Sequence, residues 1–144
     1  MKPFRFPLDR VLEWRREELE TEQAALRALQ AERERLQARR RMLEGNLEAE
    51  QRALVASPSV DSQALEALES WKVWVRGEFR RLEILAQELD GRIAVQRFKT
   101  LEAQRRVKLL ERLREKAYRR WTAELNRELE NFAAEAYLAR WRPG

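Results

Sequence analysis

The leucines in the first part of the chain follow one spacing that few folds can accommodate. Every leucine between residues 8 and 56 lies on a single stripe of alternating four- and three-residue steps: Leu8, Leu12, Leu19, Leu26, Leu29, Leu36, Leu43, Leu47 and Leu54. Such a stripe keeps one face of an α-helix apolar and is typical of a coiled-coil seam, the line along which two helices pack. We therefore predict a long helix over residues 8–56 that packs against a second helix.

A similar stripe continues in the second part of the chain. Eleven of the fourteen stripe positions from Leu65 to Leu110 are apolar, which predicts a second seam. After Leu110 the spacing changes to repeated steps of four that pass through Trp121 and end at Ala136. Repeated steps of four make an apolar stripe drift around its helix, so regular supercoiling should fade in this region.

The bounds of the two helices follow from the prolines and from one loop-like segment. Prolines stand at positions 3, 7, 58 and 143, and a proline breaks the interior of a helix. The loop-like segment is at residues 57–62, and three of its residues could cap the next helix, namely Ser59, Asp61 and Ser62. We predict one all-α domain with a helix over 8–56, a turn over 57–62 and a helix over 63–140. Because the connection is short, the expected fold is a long two-helix antiparallel coiled-coil hairpin with an extended C-terminal helix.

The unequal lengths of the two helices predict which residues lack a partner within the chain. At 1.5 Å per residue the first helix is roughly 73 Å long and the second roughly 117 Å. A turn centred near residues 59 and 60 would place Leu8 opposite a residue near Glu111. The apolar residues beyond that point would then be unpaired, and they include Trp121, Leu125, Leu129, Phe132, Tyr137 and Trp141. A single helix cannot bury such a stripe, so we expect another protein chain to cover it.

Two tryptophans beside the second seam have two possible interpretations. In the predicted register, Trp71 and Trp74 lie near Met42 and Leu43, and Trp74 faces Gly45. One interpretation is that the Trp74 indole fills the space that the glycine leaves. The other is that these aromatic residues form an exposed patch near the turn, of the kind that anchors a protein partner.

Positive charge is concentrated in one stretch of the second helix. The chain carries 30 basic and 25 acidic residues, and ten of the bases fall between residues 97 and 120: Arg97, Lys99, Arg105, Arg106, Lys108, Arg112, Arg114, Lys116, Arg119 and Arg120. One interpretation is a solvated face with helical ion pairs, and the other is a cationic surface for an acidic partner or nucleic acid. Leucines interrupt the stretch and it lacks a defined basic-region boundary, so nucleic acid is the less favoured ligand.

Catalytic, metal-binding and membrane-spanning functions are disfavoured by the composition. The chain contains neither cysteine nor histidine, which removes thiolate ligands, the cysteine nucleophile and the usual general base. It also lacks the phosphate-binding and nucleophile motifs of common enzyme classes. We predict no enzymatic activity, no cofactor and no metal site. No apolar run approaches the ~20 residues of a membrane span, and no secretory signal is visible, so we expect a cytoplasmic protein.

Two segments resemble the FliJ family of flagellar type III export proteins. The first is the N-terminal sequence F-R-F-P-L-D-R-V-L-E-W-R at residues 4–15, which is similar to the F-x-F start and the V-L pair of that family. The second is K-L-L-E-R-L-R-E-K at residues 108–116, followed by Glu124, Arg127 and Glu128, which resembles the late K-x-L-E-x-L-R-E helix. The tail at residues 130–135 departs from the acidic ending of the family.

The resemblance implies a stalk-like coiled coil that catalyses no reaction. In that family the end that carries both termini enters the ring of the export ATPase, which acts with its regulator. Another surface binds the cytoplasmic domain of the membrane export gate, and some members bind export chaperones. The implied location is the cytoplasmic face of the inner membrane. A stalk or chaperone-like coiled coil of a virulence type III secretion system, or a basic coiled coil that binds nucleic acid, would be the alternatives.

The resemblance also implies candidate site residues in this sequence. The ATPase-partner interface would consist of Phe4, Phe6, Leu8, Leu12, Leu113, Trp121, Leu125, Leu129 and Phe132. The gate-partner patch is chosen by local chemistry instead of by motif, and consists of Met42, Trp71 and Trp74. The basic stretch is left without an assigned partner.

Overall fold

The computed structural model describes residues 2–59 and 61–141, and they form two long α-helices. Helix α1 runs over Asp9–Ala56 and has 48 residues, and helix α2 runs over Ser62–Trp141 and has 80. The bounds predicted from sequence are 8–56 and 63–140. No strand occurs among the described residues, so the fold class is all-α. None of the helices in these ranges is apolar enough over a sufficient length to cross a membrane.

Asp61 starts the second helix. Its side-chain Oδ1 accepts a hydrogen bond from the backbone N–H of Gln63 at 3.1 Å, and its carbonyl accepts one from Leu65 at 3.1 Å. A carboxylate at this position satisfies an N–H that has no partner within the helix and also favours the positive end of the helix dipole. Among the three candidate caps, Asp61 is therefore the residue that performs this role.

The residues that the two helices bury fall on the predicted stripes. Within the described parts of the two helices, every buried residue lies on a stripe: Leu12, Leu43, Val75, Leu82, Leu89, Ile93, Ala103 and Val107. Leu12 and Val75 are almost fully enclosed, with 2% and 1% of their surfaces exposed. Each such side chain stabilises the fold by about 1.5–3 kcal/mol relative to an exposed one. The hydrophobic spacing of the sequence thus identifies the core.

The contacts of the chain group into two compact units, where the sequence analysis predicts one domain. The first unit consists of Met1–Thr21 and Leu101–Gly144, and the second consists of Glu22–Thr100. In the second unit, Leu43, Val75 and Leu82 form a buried cluster. Partly buried apolar side chains pack around this cluster: Leu36, Leu47, Trp71 and Phe79.

A polar layer replaces apolar packing at one level of the second unit. The Gln96 side-chain amide donates a hydrogen bond to the Glu22 carboxylate and lies 3.1 Å from the Glu22 carbonyl oxygen. The Thr100 hydroxyl lies 2.9 Å from the Gln96 carbonyl oxygen and 3.3 Å from that of Glu22, and it can donate to one of them at a time. A polar layer within a helix–helix seam selects one register at a cost in stability. We infer that these three residues specify the register of this unit.

This role predicts opposite effects for single and double substitutions. Gln96→Leu removes the donor from the partly buried Glu22 carboxylate and should lower the free energy of unfolding by about 1 kcal/mol. Glu22→Leu combined with Gln96→Leu replaces both polar groups by seam leucines and should restore or raise stability. Urea denaturation followed by circular dichroism measures both effects.

A matched control is the pair Glu83→Leu and Gln87→Leu, because both residues are exposed on α2. This control should give no gain in stability. A Glu22/Gln96 double variant that is less stable than Gln96→Leu alone would contradict the assigned role.

Candidate partner-binding surfaces

The residues before α1 form an N-terminal strap, residues 2–8, that lies against α2 in the first unit. Prolines at positions 3 and 7 keep this segment out of a helix. The Trp121 indole Nε1 donates a hydrogen bond to the Lys2 carbonyl oxygen at 3.0 Å. The Phe4 ring meets the Tyr118 ring edge-on, with 5.2 Å between centroids, and lies 6.0 Å from the Trp121 ring. The strap therefore covers an aromatic part of α2.

Arg114 joins the strap to both helices. Its Nε lies 3.0 Å from Oδ1 of Asp9, in the first turn of α1, and its guanidinium lies 5.3 Å from the centre of the Phe4 ring. Both members of this ion pair are about half exposed, so the charge attraction itself contributes at most about 1 kcal/mol. Arg114 therefore contacts both the strap and the first turn of α1 from its position on α2.

The prediction that residues beyond Glu111 lack a partner within the chain is wrong for the segment up to Trp121. The predicted register places Leu8 opposite Glu111, but Asp9 pairs with Arg114 instead. The predicted register also counts only helical residues and leaves out the strap, which extends along α2 beyond the start of α1. An extended residue advances by about 3.4 Å and a helical residue by 1.5 Å, so seven strap residues can span roughly sixteen residues of α2.

The last part of α2 does present an exposed apolar surface. We call Leu125, Leu129, Phe132 and Ala136 the C-terminal stripe, since their spacing places them on one face of the helix. Leu125 is half-buried, whereas Leu129 and Phe132 are 58% and 71% exposed. A tilted pair of rings, Tyr137 and Trp141, follows with 6.1 Å between centroids. Exposed apolar rows of this kind mark protein-binding sites.

Two residues of the predicted ATPase-partner interface belong to the core. Phe6 and Leu12 are buried in the first unit, so neither presents a surface to a partner in this structure. Leu8 and Leu113 are partly exposed, and Phe4 contacts Trp121 as described above. The most exposed residues of this interface are Leu129 and Phe132 of the C-terminal stripe.

The structure separates the two interpretations of the tryptophans near the turn. A Cβ atom added to Gly45 would meet nothing within 4 Å, so the Trp74 indole does not fill that space and this interpretation is wrong. Trp71 packs against the buried cluster of the second unit. Met42 and Trp74 are 57% and 47% exposed. Of the predicted gate-partner patch, these two residues are the ones available for binding.

The basic stretch divides into paired and unpaired residues. Four bases form ion pairs with carboxylates: Arg105 with Glu102, Arg106 with Glu18, Arg114 with Asp9, and Arg119 with Glu115. The other six have no carboxylate within 4.0 Å among residues 2–59 and 61–141: Arg97, Lys99, Lys108, Arg112, Lys116 and Arg120. Two of the four pairs lie within α2 and two join α2 to α1, and the six unpaired bases are all exposed to solvent.

A further apolar row on α2 was missed by the sequence analysis. Val73, Ile84 and Val95 are separated by eleven residues each, and all three are exposed together with Phe98. Eleven residues complete about three helical turns, which places these side chains on one face. The seam pattern of alternating three- and four-residue steps does not include these positions. An eleven-residue period in the sequence is the signal that identifies them.

No protein family, curated protein or solved structure matches this chain. The resemblance to the FliJ family therefore stays a prediction from the two sequence segments that carry it.

The strap contacts predict the environment of one indole. Phe4→Ala removes two aromatic contacts, each worth about 0.5–1.5 kcal/mol, and should loosen the strap from α2. The indole N–H of Trp121 should then lose its hydrogen bond to Lys2 and exchange faster with solvent. Heteronuclear NMR can follow the Trp121 indole N–H signal. The peak that is absent from the spectrum of Trp121→Phe identifies this signal.

Phe98→Ala is the control, because Phe98 is exposed and belongs to the second unit. It should leave the Trp121 signal unchanged. Equal exchange of the Trp121 indole in Phe4→Ala and in the unsubstituted protein would show that the strap does not cover this site.

Proposed function

We propose that this chain is a non-enzymatic, stalk-like coiled coil of the flagellar type III export apparatus, at the cytoplasmic face of the inner membrane. In this proposal it links the export ATPase ring to the cytoplasmic domain of the membrane export gate. The observation that carries the proposal is the exposed apolar C-terminal stripe on a helix that extends beyond its cover. Such a stripe needs a second protein to remove it from water.

The order of contacts within each unit supports an antiparallel coiled-coil hairpin. In both units, later residues of α1 contact earlier residues of α2. The pairs in the first unit are Asp9 with Arg114, Arg16 with Glu111, and Glu18 with Arg106. The pairs in the second unit are Glu22 with Gln96 and Arg33 with Asp90. The burial of residues at three- and four-residue spacing is the pattern that a coiled coil requires.

The ATPase contact is assigned to the C-terminal stripe. Leu129 and Phe132 are large, apolar and exposed, and they lie in the region that the FliJ resemblance assigns to the ATPase ring. Phe4 and Trp121 contribute by supporting the strap that ends beside the stripe. Because Phe6 and Leu12 are buried, their role in this interface is to hold the first unit together.

The gate contact is assigned to Met42 and Trp74. Both are exposed large apolar residues of the second unit, and Trp71 anchors the local packing next to Trp74. Tryptophan and methionine are enriched in protein interfaces because they offer a large apolar surface. Two separate patches on one protein allow it to contact two partners at the same time.

The proposed mechanism is a change in the relative stability of conformations, without catalysis. A protein can bias the state of a partner only as far as it binds the alternative states with different affinity. In this proposal, the C-terminal stripe binds one state of the ATPase ring better than the others. The gate then responds to the position that the coiled coil takes up. Binding of export chaperones would use the same type of contact.

A pair of matched double variants tests the two assignments against each other. Leu129→Asp with Phe132→Asp should reduce recovery of the export ATPase from the same genome at least tenfold in a pull-down, with the gate domain still bound. Met42→Asp with Trp74→Asp should do the reverse. All four residues are exposed, so both variants should keep the helical circular dichroism signal of the unsubstituted protein.

Each double variant serves as the control for the other. ATPase binding that survives Leu129→Asp with Phe132→Asp, and also survives truncation after Leu125, would refute the role of the C-terminal stripe. Truncation at this point is chosen because it retains the strap contacts of Tyr118 and Trp121. Recovery of neither partner by the unsubstituted chain would refute the proposed function as a whole.

A further inference from the structure

Four bases of the first unit form a continuous row that no carboxylate neutralises. Lys108, Arg112, Lys116 and Arg120 follow each other at four-residue intervals on α2, and all four are exposed. None has a carboxylate within 4.0 Å among the described residues. Four residues advance a helix by about 6 Å, so this basic ladder is about 18 Å long.

The three acidic residues within the span of the basic ladder and the turn before it are already paired with other arginines, whereas Glu124, four residues after Arg120, lies beyond the end of the ladder and forms no ion pair among the described residues. Between residues 101 and 120 the chain has three acids, and each forms an ion pair outside the ladder: Glu102 with Arg105 at 2.7 Å, Glu111 with Arg16 at 3.4 Å, and Glu115 with Arg119 at 2.6 Å. The ladder therefore has no carboxylate in this stretch that could neutralise it without breaking an existing pair.

The basic ladder works against the stability of α2. Like charges four residues apart on a helix repel each other, and the ladder contains three such pairs in succession. A sequence that served stability alone would place glutamate at alternate positions of this row. The ladder therefore indicates an external ligand that carries negative charge at similar intervals.

An apolar row runs beside the basic ladder. Leu109 and Leu113 each follow a ladder residue by one position, and they are 59% and 42% exposed. Ala117 and Trp121 continue the same four-residue spacing up to the place where the strap covers Trp121. A ligand that fits this face thus needs an apolar row alongside its acidic row.

We propose that the basic ladder and its leucine row bind an amphipathic helix of another protein, with acidic residues at four-residue intervals beside an apolar row. The acidic row of such a helix would pair with the basic ladder along its whole length. Leu109 and Leu113 would contact its apolar row. The site lies outside the C-terminal stripe and does not include Met42 or Trp74, so it does not depend on those assignments; of the ATPase-partner interface that the resemblance implies, it shares Leu113.

Other occupants fit these features less well. A second copy in a symmetric contact would place ladder against ladder, and the two rows of positive charge would repel each other. Duplex DNA would neutralise the ladder but would leave Leu109 and Leu113 without an apolar contact. A membrane surface requires a broad apolar face, whereas this face exposes a single narrow row.

Fluorescence anisotropy with a defined probe tests the proposal. The probe is a labelled synthetic helix with glutamate at every fourth position and leucine at each following position, compared with a scrambled peptide of the same composition. Removing the charges of the ladder (Lys108→Gln, Arg112→Gln, Lys116→Gln, Arg120→Gln) should weaken binding of the probe at least tenfold. Leu109→Ser with Leu113→Ser should weaken it at least threefold.

The matched control removes four exposed bases of the second unit: Arg76→Gln, Arg80→Gln, Arg97→Gln and Lys99→Gln. It changes the net charge by the same amount and should alter probe binding less than twofold. The melting temperature of the ladder variant should be unchanged or higher, because three repulsive pairs are lost.

Four results would overturn the proposal. They are equal binding of the scrambled peptide, an equal loss in the control variant, a lower melting temperature of the ladder variant, and tighter binding of a 20-base-pair duplex or of phosphatidylserine vesicles than of the probe. The first two indicate non-specific charge attraction, the third a structural role, and the last a different class of ligand.

Discussion

Within each unit, apolar side chains are buried where α1 and α2 meet, and this seam is the constraint that shapes the other features of the protein. A two-helix fold offers each helix a single neighbour, so only one stripe of each helix can leave water. Leu12 and Val75 show how completely the seam can enclose a side chain. Every apolar residue away from the seam must find cover elsewhere or stay exposed. The surfaces proposed to bind partners therefore include the apolar residues that the seam leaves exposed.

Polar and non-helical features modify the seam at defined positions. In the second unit, Glu22 and Gln96 give up apolar contact for a hydrogen-bonded layer, which favours one register over others that leucines would tolerate equally. In the first unit, the strap brings Phe4 to Trp121 and shortens the part of α2 that remains uncovered. The polar layer favours one register and the strap covers part of α2, and neither changes the fold class.

The exposed surfaces differ in the chemistry that they offer to partners. The C-terminal stripe is mainly apolar, Met42 and Trp74 each expose a large apolar side chain, and the basic ladder combines charge with a leucine row. Affinity in protein interfaces comes from a few buried apolar anchors, whereas charge contributes mainly specificity and speed of association. A chain with several such surfaces is suited to connect proteins, which is the proposed role.

The two helices, their approximate limits and the seam positions among which their buried residues lie all follow from the sequence, because a seam requires apolar side chains at three- and four-residue spacing and proline interrupts a helix. Leu12 and Val75 are positions that the spacing identifies, whereas Asp61 is one of three candidate caps until its hydrogen bond to Gln63 distinguishes it. The folded structure was needed to show which bases are paired, that Gly45 lies open and that the strap reaches Trp121. These features depend on distances between residues far apart in the chain, and an extended strap has no periodic pattern that could reveal its path.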